Sequence, residues 1–357
     1  MPDSPVRRWL MPAARHLEAD LLATREALQH WKSAAAGARV SARDAHRRIP
    51  ATESLQVLLP ARVASARRRA SSPAARARHA AWMQHVDAYR HAVEVARQGA
   101  DAGIAVELGG ITWCAPASAR QPDRAERLRA QGLPLRALLQ TREVSVGPIM
   151  LDVGANIGRT SLLRTVLGDC GVAYAAEPDP GNFESLVRTL IINGLSGLVL
   201  PEQCAIGSAD GEVTLRRGKY IGGHTIGAGG RKVRDAVAVP CRRLDSWVAD
   251  RRIDLDAVHF VKVDVQGWEP HVLEGAPGVL ACRHIAWQLE IDPPLLRAAG
   301  GSPEDLLARL AAHFTRFIDL HPAADGSRLR PVADLPEALG YLADGRGHKT
   351  DLVLVPA

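Results

Sequence analysis

Aromatic residues are scarce in this 357-residue chain, at 4% of the composition. Proteins that bind single-stranded nucleic acid stack bases on aromatic side chains, so this scarcity argues against a nucleic acid partner. The first 100 residues are nevertheless basic, with 17 Lys and Arg against 8 Asp and Glu, whereas the remainder has 28 against 31. We interpret the basic charge, including the run Arg67-Arg68-Arg69, as a solvated surface or a surface that binds a partner.

Cysteines are also few: the chain has five, and no two of them form a C-x-x-C pair. An odd, scattered set argues against a disulfide framework and against a zinc site, so we expect no bound metal. No stretch reaches the ~18 consecutive apolar residues that a membrane span requires. The residues after Arg7 and Arg8 do not form the apolar segment of a secretory signal. We therefore predict a cytoplasmic protein without a membrane span.

Periodic apolar residues predict helices over about 15–31 and 73–98. In the second helix Trp82, Val86, Tyr89 and Val93 recur at helical spacing, and we expect this stripe to pack against the neighbouring domain. The predicted organisation is a helical, Arg- and Ala-rich N-terminal region over 1–103, a hairpin and connecting segment over 104–148 and an α/β domain over 149–357. We expect the N-terminal helices to serve a protein partner, acceptor docking or self-association.

A glycine turn opens the α/β domain, in the segment from Ile149 to Gly158. An apolar run that ends in Asp152 predicts a buried parallel strand, and Gly154 and Gly158 then lead into a helix. Glycines let the backbone turn tightly against a ligand, and the new helix presents unpaired N–H groups to it. This pattern indicates a nucleotide-cofactor loop, although many α/β proteins have such a turn and bind nothing there.

Glu177 follows the next predicted strand, Val172–Ala176, one strand–helix–strand unit after Asp152. A carboxylate at that strand end can accept hydrogen bonds from both hydroxyls of a ribose that lies over the turn. Alternatively, Glu177 is a favourable charge at the start of the next helix. A dinucleotide loop requires glycine where Asn156 and Arg159 stand. The spacing therefore favours S-adenosylmethionine, for whose cationic groups Asp152 supplies a negative charge.

Further apolar segments alternate with helices along the chain. The predicted strands are Leu198–Cys204, Asp256–Val263, Ile285–Ile291, Phe314–Leu320 and Leu352–Val355, with hairpins expected at Gly211 and around Gly109-Gly110. This alternation predicts a doubly wound α/β sheet with helices on both faces.

Three candidate catalytic residues lie beyond the glycine turn. Asp264 follows the strand Asp256–Val263 and is expected at the cofactor crevice, as a general base, as a group that orients the acceptor hydroxyl or the cofactor, or as a helix cap. Glu269 either takes part in the reaction or interacts with the helix dipole. His224 lies in a glycine-rich segment, and its ordinary pKa suits a general base, although such a histidine is also common at protein surfaces.

Together these motifs resemble the FkbM-type S-adenosylmethionine-dependent methyltransferases. The matching segments, in the family's order, are Leu151 to Gly158, Glu177 to Phe183 with Asn193 downstream, Ala205 to Gly207 with Asp210 and Gly211, Leu244 with Asp245, and Lys262 to Glu269 with Val272 to Ala276. These segments span roughly residues 145–320.

The resemblance implies a Rossmann-like class I methyltransferase sheet, S-adenosyl-L-methionine as cofactor, and O-methylation of a small-molecule or glycan acceptor. The expected cofactor-binding residues are Asp152, Gly154, Ala155, Asn156, Gly158 and Glu177. The family often has Glu where Gln266 stands, and an amide cannot serve as an anionic base at that position. An N-methyltransferase and a non-catalytic methyltransferase-like binding module are the alternatives.

Overall fold

The structure, a computed structural model, describes residues 52–98, 104–116, 133–218, 223–226, 233–321, 329–343 and 348–356. Several helix boundaries in these ranges follow local sequence signals. Ser72, Asp179 and Ser302 each accept a hydrogen bond from the backbone N–H three residues on, and each precedes a proline in the first turn. Gly168 and Gly194 end their helices in the left-handed conformation.

The elements are numbered in chain order. The first are α1 (Thr52–Ala70), α2 (Pro73–His85), α3 (Asp87–Gln98), β1 (Ile104–Leu108), β2 (Ile111–Ala115), α4 (Leu135–Ser145), β3 (Gly147–Val153), α5 (Arg159–Leu167), β4 (Cys170–Ala176) and α6 (Pro180–Asn193). Next come β5 (Val199–Glu202), β6 (Ala205–Ile206), β7 (Gly211–Gly218), β8 (Thr225–Ile226), β9 (Val233–Arg242), α7 (Leu244–Asp250), β10 (Val258–Val263), α8 (Glu269–Glu274) and α9 (Pro277–Ala281). The remainder are β11 (Ala286–Ile291), α10 (Pro293–Ala298), α11 (Pro303–His313), β12 (Arg316–Asp319), β13 (Arg330–Pro331), α12 (Leu335–Ala338), α13 (Gly340–Ala343) and β14 (Thr350–Val355). Short 3-10 helices cover Leu255–Ala257 and Val332–Asp334.

An eight-stranded sheet has the order β13-β12-β14-β11-β10-β3-β4-β5. The strands from β11 to β5 pair in parallel, whereas β14 runs antiparallel to both of its neighbours, β11 and β12. The sheet is therefore mixed, and its central strands all end at one carboxyl edge. The predicted strands are confirmed to within a few residues at their ends.

Side chains of the central strands alternate between two apolar clusters, one on each face. Met150 and Phe260 belong to a cluster with helices α1, α4, α5 and α6, while Leu151 and Val261 belong to a cluster with helices α7 to α11. The prediction of a Rossmann-like sheet with helices on both faces is confirmed.

Two smaller sheets accompany the main one. Strands β1 and β2 form the predicted antiparallel hairpin, with a turn at Gly109 and Gly110. Strands β6, β9, β7 and β8 form a four-stranded sheet in that order. The hairpin expected at Gly211 is wrong, because β9 lies between β6 and β7, the strands on either side of that glycine. Because β6 follows β5 closely, this second sheet lies beside the carboxyl edge of the first.

The described N-terminal helices are part of one compact unit that covers Thr52–Ala357. Trp82 and Tyr89 are buried with Phe183 of α6 and Leu200 of β5, and the Trp82 Nε1 donates to the carbonyl oxygen of Pro201 at 2.9 Å. The expected packing of the aromatic stripe is confirmed. The predicted single helix over 73–98 is two helices, because Val86 has an extended backbone. The division of the chain at residues 103 and 148 stays a prediction, and the predicted helix over 15–31 lies outside the described residues.

The interpretation of the arginine run as a solvated surface is confirmed for Arg67 and Arg68, which are exposed, whereas Arg69 is half-buried. The Arg67 Nε donates to the carbonyl oxygen of Asn193 at 2.8 Å, and the Arg69 guanidinium donates to that of Thr165. Both carbonyls belong to last turns of helices, where cations interact favourably with the helix dipole. Among the described residues, no helix is long and apolar enough to cross a membrane.

Candidate active site

A cavity of about 360 Å³ opens at the carboxyl edge of β3, β4 and β10. This volume lies in the usual range for small-molecule sites, and this edge is where open α/β sheets bind their ligands. The cavity wall also includes residues of the second sheet, among them Leu215 of β7 and Ile226 of β8. The wall therefore has an apolar part and a charged part.

The glycine turn after β3 forms one side of the cavity. The backbone N–H groups of Gly154 and Ala155 both donate to the carbonyl oxygen of Ala176. Gly154 has φ +79°, and a Cβ atom there would stand 2.0 Å from the backbone oxygen of Asp264. Asn156 adopts φ 55°, a conformation uncommon for residues other than glycine. Residues held in this conformation cluster at functional sites.

Glu177 lines the cavity from the end of β4. Its Oε2 accepts a hydrogen bond from the Asn156 N–H at 2.7 Å, and its Oε1 accepts one from the Asp179 N–H at 3.0 Å. Burial raises the pKa of Glu177 to about 7, although these hydrogen bonds oppose the shift. The Oε1 also accepts a longer hydrogen bond from the Asn182 Nδ2 at 3.4 Å. The Oε2 accepts one hydrogen bond from the protein and has a second lone pair, so the fixed carboxylate retains capacity for a ligand hydroxyl.

Asp152 is fully buried beneath the turn and is not among the residues that line the cavity. Its Oδ2 accepts a hydrogen bond from the Ser161 hydroxyl, and its Oδ1 lies 3.8 Å from the Lys262 Nζ. Ala155 and Gly158 also lie outside the lining set, whereas Gly154, Asn156 and Glu177 belong to it. The structure thus brings three of the six expected cofactor residues to the cavity.

Asp264 lines the cavity just beyond the end of β10. Its Oδ1 accepts a hydrogen bond from the Gln266 Nε2 at 3.0 Å, and its Oδ2 accepts one from the Lys262 Nζ at 3.1 Å. Burial favours the neutral acid, but the charges of Lys262 and Lys349 outweigh burial and hold the pKa of Asp264 below its ordinary value. Asp264 is therefore an anion at neutral pH, suited to accepting hydrogen bonds and to facing a cation.

A second carboxylate, Glu290 at the end of β11, supports this wall from behind. The Gln266 Nε2 donates to the Glu290 Oε2 at 2.6 Å, and the Lys349 ammonium donates to the Glu290 Oε1. Burial raises the pKa of Glu290 well above its ordinary value. Gln266 has φ 56° and thus joins Asn156 as a residue of left-handed conformation in the cavity wall. The Gln266 amide donates to both Asp264 and Glu290, whereas a Glu at this position would place a third carboxylate beside these two.

Glu269 does not line the cavity, and its side chain is buried at the start of α8. Its Oε1 accepts hydrogen bonds from the N–H groups of Val265 at 3.1 Å and Gly267 at 3.3 Å. Burial raises the pKa of Glu269 to about 7. The contacts indicate that Glu269 holds the turn that carries Asp264 and Gln266.

His224 lines the cavity from the second sheet. Its Nδ1 accepts a hydrogen bond from the Gly218 N–H at 3.1 Å, so in the neutral ring the proton lies on Nε2. The Nε2 is 3.9 Å from the Asp179 Oδ2. In this tautomer, which is assigned from the hydrogen bond, Nε2 is a donor and cannot accept a proton.

Several lining residues were not predicted from the sequence. They are Arg159, Asn182, Cys204, Ala205, Ile206, Leu215, Ile226, Gln266 and Lys349, together with neighbours of the predicted residues. Four of them lie inside the motifs quoted above, so the motifs could have predicted them: Asn182, Ala205, Ile206 and Gln266. Leu215, Ile226 and Lys349 reach the cavity through strand pairing over long sequence separations.

Part of the chain matches a known protein family. Residues 152–316 match the model described as the methyltransferase FkbM domain. Among curated proteins, no match was found.

Solved structures with similarity to this chain include the methyltransferase FkbM from Methylobacillus flagellatus, at 17% identity and a TM-score of 0.33, covering 59% of this chain and 44% of that chain. A putative tRNA (m1A22) methyltransferase from Streptococcus pneumoniae, solved in complex with S-adenosyl-L-methionine, is 16% identical with a TM-score of 0.35, covering 63% and 73%. The tRNA methyltransferase TrmK from B. subtilis is 11% identical with a TM-score of 0.34, covering 62% and 65%. The match thus spans less than half of the M. flagellatus protein.

Proposed function

We propose, on the premise that residues 152–316 form a methyltransferase domain of the FkbM family, that the protein transfers a methyl group from S-adenosyl-L-methionine to a hydroxyl oxygen. One observation carries the proposal: a single cavity brings together the buried carboxylate of Glu177 and the anionic Asp264, with the glycine turn between their strands. The Glu177 carboxylate is suited to bind a ribose, and the Asp264 carboxylate is suited to lie near a cationic centre and an acceptor.

The residues present fit this cofactor. Glu177 is fixed by two backbone donors and the Asn182 amide, and its Oε2 can accept a hydrogen bond from a ribose hydroxyl. Cys204, Ala205 and Ile206 supply an apolar wall for a nucleobase. The Asp152 Oδ1 is buried near the turn, without a hydrogen-bond partner among the described residues and 3.8 Å from the Lys262 Nζ. These features match a nucleoside with a cationic tail and no phosphates.

When bound, S-adenosyl-L-methionine supplies a methyl group activated by its positive sulfonium. The protein's own contribution is to position the acceptor. Asp264 accepts the hydrogen bond of the acceptor hydroxyl and thereby directs a lone pair of that oxygen into the cavity. As the oxygen gains the methyl group, its O–H bond breaks and the proton passes to the Asp264 carboxylate. Lys262 and Gln266 hold the Asp264 carboxylate through its two oxygens. His224 donates from Nε2 and helps to orient the acceptor.

Hydroxyl groups of sugars, glycans or secondary metabolites are the proposed acceptors, in line with the family resemblance of the motifs. An acceptor nitrogen is the alternative within the same enzyme class. Both acceptor types fit beside Asp264, because each presents an N–H or O–H donor to a carboxylate.

Calorimetry and a turnover assay test the proposal. Wild-type protein should bind S-adenosyl-L-methionine, and Glu177→Ala and Asp152→Ala should each weaken binding. Glu184→Ala, at a half-buried position of α6 that does not line the cavity, should not. Formation of S-adenosylhomocysteine is then measured with a panel of hydroxylated and amino acceptors. Undiminished binding in both site variants would exclude the cofactor assignment. Binding without turnover on any acceptor would favour a non-catalytic module.

A further inference from the structure

Asp264 shares the cavity wall with a lysine that is bonded to a different carboxylate. The side chains of Asp264 and Lys349 both line the cavity and are 32% and 41% exposed, whereas the Glu290 side chain lies behind them and is 4% exposed. The charges of Lys349 and Asp264 act on each other, and an ammonium and a carboxylate attract. The Lys349 ammonium nevertheless donates to Glu290. The wall thus contains a cation that is drawn toward Asp264 and held by another group.

Glu290 holds its neighbours through both of its oxygens. The Oε1 accepts from the Lys349 ammonium, and the Oε2 accepts from the Gln266 Nε2 at 2.6 Å. Neither donor can accept a proton, so these contacts fit the carboxylate form of Glu290, although burial opposes its charge. The same Gln266 nitrogen donates to the Asp264 Oδ1 at 3.0 Å. The amide orientation follows, because exchanging its two ends would turn an oxygen toward two carboxylates.

Without Glu290, the Lys349 ammonium would turn to another anion. Two other carboxylates act on its charge, Asp264 and Asp351. Of these, Asp351 lies outside the set of lining residues, whereas Asp264 belongs to the same wall as Lys349. A second ammonium on Asp264 would take up a lone pair that the acceptor hydroxyl needs and would offset the negative charge that faces the sulfonium.

We propose that Glu290 is a positioning residue: it holds the Lys349 ammonium away from Asp264 and so keeps the Asp264 carboxylate available to the sulfonium and the acceptor. The inference rests on the proposed function, because Asp264 is the group that it serves. Glu290 does not line the cavity and acts only through its neighbours. Its loss should therefore reduce the effective charge of Asp264 while leaving the ribose contact of Glu177 in place.

Calorimetry with S-adenosyl-L-methionine and S-adenosylhomocysteine tests the proposal without any acceptor, because the two ligands differ by the sulfonium charge. Glu290→Gln should lower the affinity ratio of the first ligand to the second about three- to tenfold. Adding Lys349→Met to Glu290→Gln should restore the ratio, since the competing cation is then gone. Lys349→Met alone should not lower it. A crystal structure of Glu290→Gln should place the Lys349 Nζ within hydrogen-bond distance of an Asp264 oxygen.

Glu202→Gln is the matched control. Glu202 is also a buried glutamate at a strand end, where its Oε1 accepts from the Arg251 guanidinium at 2.6 Å, and it does not line the cavity. Its replacement should lower stability and leave the ratio of the two affinities unchanged. The control separates the loss of a buried ion pair from the release of Lys349.

An unchanged ratio in Glu290→Gln, beside a lowered ratio in Asp264→Asn, would overturn the proposal. A lowered ratio that Lys349→Met does not restore, or a crystal structure in which Lys349 turns to solvent or to Asp351, also overturns it. Should Glu290→Gln fail to fold, Glu290→Met, which fills the site without polar atoms, takes its place in each comparison. A wild-type protein that binds neither ligand contradicts the proposed function instead.

Discussion

The carboxylate of Glu177, at the end of β4, accepts a hydrogen bond of 2.7 Å from the backbone N–H of Asn156, in the turn after β3. Because Asn156 is held in a left-handed conformation, this bond fixes a turn that the local sequence alone does not favour. A single buried carboxylate therefore shapes the turn and also faces the proposed ribose. Changes of its charge should act on both.

Cofactor binding should depend on pH through Glu177. Burial raises the pKa of Glu177 from 4.5 to about 7, so the folded protein retains a proton that the unfolded chain releases. The stability that this difference contributes is fully present below about pH 4.5 and is lost as the pH rises through 7. Ribose hydroxyls form stronger hydrogen bonds with the carboxylate anion than with the neutral acid. The affinity for S-adenosylhomocysteine should therefore rise as the pH increases through 7. Below pH 7, binding should release the proton from Glu177.

Calorimetry on either side of pH 7, in buffers of different ionisation enthalpy, measures both effects. In Glu177→Gln the proton release attributable to this group should vanish. An affinity that stays constant across this range in the wild-type protein would contradict the assignment of Glu177.

Asp264→Asn should weaken S-adenosyl-L-methionine more than S-adenosylhomocysteine, by about tenfold in the ratio of the two affinities. The two ligands differ by the charge of the sulfonium, and Asp264 is an anion held in the wall by Lys262 and Gln266. Asp256→Asn, an exposed carboxylate before the opposite end of β10, serves as the matched control. If both ligands lose affinity equally, Asp264 does not face the sulfonium region.

Glu269 should prove to be a structural residue whose oxygen matters more than its charge. Glu269→Ala leaves the buried N–H groups of Val265 and Gly267 without their acceptor and should lower the free energy of unfolding by about 2–4 kcal/mol. Glu269→Gln retains an oxygen and should cost far less. Urea denaturation compares the two. A Gln variant that is stable, binds cofactor and lacks all turnover would instead assign Glu269 to catalysis.

Gly154→Ala should destabilise the protein more than Gly168→Ala. Both glycines have positive φ, so alanine costs about 1–2 kcal/mol at either position. At Gly168 a Cβ meets no atom within 4 Å, but at Gly154 it would stand 2.0 Å from the Asp264 oxygen. We expect at least about 2 kcal/mol of additional loss, together with loss of S-adenosylhomocysteine binding. Equal unfolding free energies for the two variants would disprove the close approach.

Trp82→Ala should lower the free energy of unfolding by about 3–5 kcal/mol, because it empties a buried site between α2 and the main sheet. His85→Ala, an exposed position on the same helix, should stay within about 0.5 kcal/mol of the wild type. Thermal and chemical unfolding provide the measurement. A Trp82→Ala protein of normal stability would show that the N-terminal helices contribute little to the folded unit.

The sequence allowed prediction of Gly154, Asn156 and Glu177 as cavity residues, because their positions follow from one strand, one turn and the next strand. Such local spacing requires no knowledge of the sheet order. Asp152 was placed on the correct strand, but its side chain lies below the turn. The side of the sheet on which such a side chain lies depends on the register of its strand with the neighbouring strands.

Glu290 and Lys349 were missed as a pair for a topological reason. Their strands flank each other in the sheet although about 60 residues separate them in sequence. Lys349 precedes β14, and a residue before a strand reaches the carboxyl edge only if that strand runs antiparallel to the others. If all strands of the sheet were parallel, a residue before a strand would lie at the edge opposite the carboxyl edge.

The position of β14 also bears on how the protein is made. Thr350–Val355 lies between β11 and β12, which both precede it along the chain. During synthesis from the N-terminus, β11 and β12 therefore emerge from the ribosome with unpaired strand edges, and the strand that joins them arrives later. Open edges of this kind recruit other chains. A ribosome that stalls before residue 350 would thus present a nascent protein prone to intermolecular strand pairing, with Lys349 and its partner Glu290 not yet joined.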